Sequence, residues 1–164
     1  MATVVPRDET QPQQFAPPCS ARNVLVAFDG SRGAQHALAC ATAMARGGNG
    51  RLTLMTVVPR APVPAPGVVG AYDFRAIERA MEADLRAAAE TVPEDVPVTT
   101  MVLHGNAAHE IVRCVEKGCY DVVVLGFEGH GPMKGAIAGV CKKVMRHCPV
   151  PVIVVHAPPE QSAP

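Results

Sequence analysis

At 164 residues, 48% of them apolar, the chain is long enough to bury one sizeable core, and its 15 Lys and Arg balance 15 Asp and Glu. That neutrality gives no electrostatic case for nucleic acid or an anionic membrane as a partner. No apolar run approaches the about 18 residues of a membrane helix. The start, MATVVPRDETQPQQFAPPCSAR, has neither a basic opening nor an apolar core, so a soluble, cytoplasmic protein is expected.

Residues 1–21 are rich in Pro and Gln without a period and are expected to form a disordered tail. NVLVAFD (23–29) is a continuous apolar run closed by Asp29-Gly30-Ser31, the pattern of a strand ending in a turn. In SRGAQHALACATAMARGG, Ala34, Ala37, Leu38, Ala41 and Met44 recur at helical steps, and Gly47-Gly48 ends the helix. RLTLMTVV (51–58) is a second strand. Four prolines in PRAPVPAPGVVGAYD exclude helix and central strand from the loop after it. The spacing predicts a helix from about Phe74 to Glu90 with Ile77, Ala80, Met81, Leu85 and Ala88 on one face.

VPVTTMVL (96–103) is a third strand, and Asn106 caps a helix that runs to Lys117 and stops at Gly118 in the C′ position. DVVVLG (121–126) is a fourth strand. It is followed by five glycines in fourteen residues, from Gly126 to Gly139, and by a helix expected from about Val140 to His147. PVPVIVVH supplies the last strand, and 158–164 is a second tail, leaving the folded domain at 22–157.

Strands apolar throughout need cover on both faces, and helical connections make neighbours parallel. The expected fold is α/β: one open, doubly wound sheet of five parallel strands, order 3-2-1-4-5, with helices on both faces. Ligands in such sheets sit beyond the carboxyl ends of the strands where the order reverses. That point lies between Asp29, ending the first strand, and Gly126, ending the fourth.

The six cysteines, Cys19, Cys40, Cys114, Cys119, Cys141 and Cys148, form no CxxC pair, and neither they nor the histidines have zinc-ligand spacing. Free thiols are expected. No base and nucleophile are brought together by the sequence, so an enzyme is not expected beyond a slow ATPase. His36 and His109 are expected at the surface. Lys142, Lys143, Arg146 and His147 form a basic last turn that suits the helix dipole.

VLVAFDGS, LTLMTVV, GNAAHEIVRCVEKGCYDVVVLG and KKVMRHCPVPVIVV, in this order, resemble the universal stress protein family over residues 23–155. The resemblance implies a domain that dimerises through its last strand (Val152, Ile153, Val154, Val155). In the nucleotide-binding branch it also implies an ATP site with Mg or Mn. That branch uses Gly-x2-Gly-x9-Gly followed by Ser or Thr, matched here by Gly126, Gly129 and Gly139. The resemblance places cofactor contacts at Ala27, Asp29, Val57, Val58, Gly126, Gly129, Gly139, Val140 and Cys141, and a metal contact at Asp29. Adenine would meet backbone near Val57 and Val58.

Two departures stand out. Val140 occupies the Ser or Thr position, which removes a contact of about 0.5–1.5 kcal/mol. Glu128 lies where the family often carries a basic residue, and a carboxylate beside a triphosphate needs a cation between them. Two readings stay open at each feature. The glycines hold a nucleotide, or they let the loop pack tightly beside the first strand. Asp29-Gly30-Ser31 meets a ligand, or it is a turn and helix cap. The corresponding functions are a stress-response regulator that binds ATP and a dimerising interaction module that does not.

Overall fold

Val24, Leu25 and Val26 are wholly buried, so the first strand is covered on both faces as its unbroken apolar run requires. The structure, a computed structural model, describes residues 21–60, 73–127 and 134–157, with backbone only for 134–137. The elements are β1 (Asn23–Ala27), α1 (Arg32–Gly47), β2 (Arg51–Val58), α2 (Phe74–Glu90), β3 (Val98–His104), α3 (Ala107–Lys117), β4 (Val122–Phe127), α4 (Lys134–His147) and β5 (Val152–His156). They form one parallel five-stranded sheet in the order β3-β2-β1-β4-β5. Both expected tails, and the loop positions 61–72 and 128–133, lie outside the described residues.

Alternation divides the core into two layers. Val24, Val26, Leu52, Leu54 and Val124 meet Ala37, Leu38, Met44 and Leu85 of α1 and α2. Leu25, Met55, Val123 and Leu125 meet Ile111, Val115, Cys141 and Val144 of α3 and α4. The sheet is thus doubly wound. No helix among the described residues is long and apolar enough to cross a membrane.

Local chemistry sets the boundaries. Ser31 Oγ accepts from Ala34 N at 3.1 Å and starts α1; Asn106 Oδ1 accepts from His109 N at 3.2 Å and starts α3. β3 begins after Pro97 rather than at Val96, and β5 begins after Pro151, because neither proline has an N–H for the ladder. Gly118 ends α3 as expected but as an extended C-cap (φ −104°), so left-handed freedom is not why it is glycine. A Cβ there would lie 2.5 Å from Tyr120 Cε2. The face expected on α2 is covered only in part: Leu85 and Ala88 are buried, while Ile77 is 39% exposed.

The largest correction concerns α4. It starts at Lys134, not near Val140, so Gly139 and Val140 lie inside a helix rather than at its first free N–H groups. Gly135 and Gly139 are each about 1 kcal/mol worse than alanine in a helix, so local propensity does not set this start. His36 and His109 are exposed, as expected. Cys114, Cys119, Cys141 and Cys148 are free thiols.

Candidate functional site

β1 stops at Ala27 while β2 runs on to Val58, and this mismatch opens a crevice at the point where strand order reverses. Phe28 N still donates to Met55 O at 2.7 Å, the last link between the two strands. On the opposite edge of β2, Val58 O accepts from Gly105 N at 2.9 Å, toward β3. Strand alternation therefore turns the N–H and C=O of Val57 the same way as those of Met55, toward the space that β1 has vacated. A donor and an acceptor side by side match one edge of a purine base.

The crevice holds a cavity of about 150 Å³ lined by Ala27, Phe28, Asp29, Met55, Thr56, Val57, Met81, Ala107, Ile111, Leu125, Gly126, Val140 and Cys141. Complete ligand pockets run to about 300–1,000 Å³, and an apolar cavity near 150 Å³ takes a single aromatic ring. The described walls therefore suit a ring rather than a whole nucleotide. A larger groove of about 1040 Å³ between α1 and α2 touches the end of β1 through Phe28 and Gly30 but contains none of the expected positions.

Of the nine positions carried by the resemblance, the structure brings six together: Ala27, Asp29, Val57, Gly126, Val140 and Cys141. Val58 is not among them, because it is 3% exposed and its carbonyl is committed to Gly105. Gly139 faces a different cavity, between α3 and α4. Gly129 lies outside the described residues. The sequence did not single out Thr56, Ala107 and Ile111 as site residues. Their signal was positional: the end of β2 and the first turn of α3 border any crevice between β1 and β4.

Asp29 carries both readings at once. Its Oδ1 accepts from Ser31 N at 3.0 Å, closing a turn in which Gly30 has φ +81°, and Ser31 caps α1. The carboxylate is nevertheless exposed at the crevice mouth. Among the described residues no cluster of three His, Cys, Asp or Glu could hold a metal, so Asp29 would bind a divalent cation only jointly with phosphate oxygens. Cys141 is buried with its Sγ 3.9 Å from Gly126 O. Burial, and then the nearby Asp29 charge, push its thiol pKa up, which keeps it neutral and poorly reactive.

Gly126 has a packing role that its motif position does not reveal. A Cβ added to it would lie 2.2 Å from Gly33 C and 2.3 Å from Ala34 N, and one added to Gly33 would lie 3.0 Å from Phe127 C. The start of α1 thus rests directly on the end of β4. The atoms nearest to that Cβ belong to the first helix.

The universal stress protein family model matches residues 20–156. A universal stress protein of Thermus aquaticus, encoded beside a QAH/OAS sulfhydrylase, is 31% identical over 141 residues, covering 82% of this chain and 98% of the relative. Among solved structures, a universal stress protein in complex with cAMP aligns with TM-score 0.60 at 17% identity, over 84% of this chain and 98% of the other. A family protein of Arabidopsis thaliana with AMP bound aligns with TM-score 0.60 at 16% identity, over 87% and 95%. The matched model spans the sheet, the crevice and all four helices, and this chain belongs to the universal stress protein family.

Proposed function

We propose that the chain is a cytoplasmic stress-response regulator that binds an adenine nucleotide, ATP with Mg²⁺ or Mn²⁺, in the crevice between β1 and β4. The observation that carries this reading is the backbone edge of Val57, turned into an apolar, ring-sized cavity at the switch point. The relatives crystallised with cAMP and AMP support an adenine base in the same fold. Val57, Ile111 and Leu125 would hold the adenine, and Asp29 would hold a divalent cation that offsets the charge of the phosphates. The test is mass spectrometry of the supernatant after heating protein purified without added nucleotide. An adenine nucleotide in stoichiometric amount is the expected result; none, together with no melting shift on adding Mg-ATP, contradicts it.

Asp29→Asn isolates the metal contact. Asn accepts the same Ser31 N–H, so the fold should change by less than about 0.5 kcal/mol. Affinity for Mg-ATP should fall about tenfold, while affinity measured in EDTA should hardly change. Equal losses in both conditions would remove the cation from the account.

A reading without ATP is favoured by Val140, which offers no hydroxyl, and by Gly139, which faces away from the crevice. In that case the fold serves as a dimerising module. The proposed dimer edge is the same under both readings. Pro151 O accepts from Val123 N and Ala157 N donates to Phe127 O, so odd-numbered residues of β5 face β4. Val152 and Val154 then turn their N–H and C=O outward, an edge that pairing across a two-fold axis would cover, with Ile153 and Val155 completing the strand. Val154→Pro removes one outward N–H and no inward one. Light scattering should show a dimer for the native chain and a folded monomer for the variant; a native monomer at micromolar concentration contradicts the assignment.

A further inference from the structure

We propose that the groove between α3 and α4 docks a short acidic peptide segment of a partner protein. The groove is a cavity of about 900 Å³, separate from the nucleotide crevice. A second cavity of about 530 Å³ shares Asn106, His109 and Arg113 with it and extends it to Arg60, just beyond β2. The two cavities adjoin at the start of α3.

Its charge is one-sided. Lys142, Lys143 and Arg146 line one wall and are exposed, and among the described residues no carboxylate pairs with them. On the other wall Arg113 is paired with the buried carboxylate of Glu110, leaving Glu116 as the one further acid there among the described residues. His147 Nδ1 lies 2.9 Å from Lys143 O and donates to that carbonyl. The chain as a whole carries no net charge. The positive charge of this groove is therefore a local concentration on a neutral protein, which steers an anionic partner to one face.

Shape narrows the partner. Val112 and Gly139 are half-buried and Ala108 is buried on the groove wall, and a Cβ at Gly139 would meet nothing within 4 Å. The groove thus has an apolar notch beside a cationic wall, which fits an apolar side chain next to carboxylates. Among the described residues no Phe, Tyr or Trp lines either cavity, so these walls offer bases no stacking platform. Exposed ion pairs are each worth little, so several charges and the notch must act together.

The test is fluorescence anisotropy with a fluorescein-labelled peptide of alternating Glu and Leu. Saturable binding is expected, weakening at least tenfold between about 50 and 200 mM salt. Lys142→Gln/Lys143→Gln/Arg146→Gln should weaken it at least about tenfold. Gly139→Leu fills the notch without changing charge and raises helix propensity, so its loss of binding could not be laid to unfolding. Far-UV circular dichroism and melting confirm the fold of both variants. Absence of peptide binding at low salt, undiminished binding in both variants, or tighter binding of an oligoadenylate RNA would overturn the proposal.

Discussion

Gly126→Ala is expected to cost about 3 kcal/mol or more, lowering the melting temperature by about 10 °C. The cause is backbone against backbone. The new Cβ would sit 2.2 Å from Gly33 C and 2.4 Å from Gly33 O, and neither can rotate away as a side chain would. Relief requires α1 to lift from β4, although the first layer of the core is built on Ala34, Ala37 and Leu38 of that helix. Gly139→Ala should do the opposite. It lies inside α4 with open space around its missing Cβ, so alanine should add about 0.5–1 kcal/mol. Thermal melts of the two variants give opposite signs for two glycines of one motif. Equal, small shifts would mean that the motif glycines act through a ligand alone.

Ala107→Leu is expected to abolish nucleotide binding, by a hundredfold or about 2.7 kcal/mol at least. Ala107 opens α3 and lines the crevice, and its methyl faces a cavity of only about 150 Å³. A leucine side chain occupies much of that space and excludes a purine ring. Because it fills an existing void rather than creating one, stability should stay within about 1.5 kcal/mol of the native chain. Titration calorimetry with Mg-ATP, alongside a melting curve, separates the two effects. Undiminished ATP affinity would place the base elsewhere.

The parallel, doubly wound sheet was legible because each apolar run alternates with a helical pattern. The order 3-2-1-4-5, which the structure has, does not follow from that alternation, because another doubly wound order satisfies it equally. Ser31 and Asn106 marked two helix starts by side-chain chemistry alone. The start of α4 was not legible, because Gly135 and Gly139 read locally as loop and only a surrounding fold can hold them in a helix. The candidate crevice was legible in position but not in detail. The resemblance pointed to both Val57 and Val58, yet only Val57 faces the crevice. That choice depends on which strand stops first, a relation between β1 and β2 that no local pattern encodes. The same holds for Gly126, whose need for glycine comes from Gly33, far away in sequence. Asp29-Gly30-Ser31 proved to be a turn and a cap while leaving its carboxylate at the crevice mouth.

The most direct test of the adenine crevice is titration calorimetry of the native chain with Mg-ATP and with adenosine. Both should give saturable heat, with adenosine retaining a substantial share of the affinity because the described walls hold the base, and both signals should vanish in Ala107→Leu. No heat from either ligand up to about 1 mM, a binding free energy weaker than about −4 kcal/mol, would contradict the account.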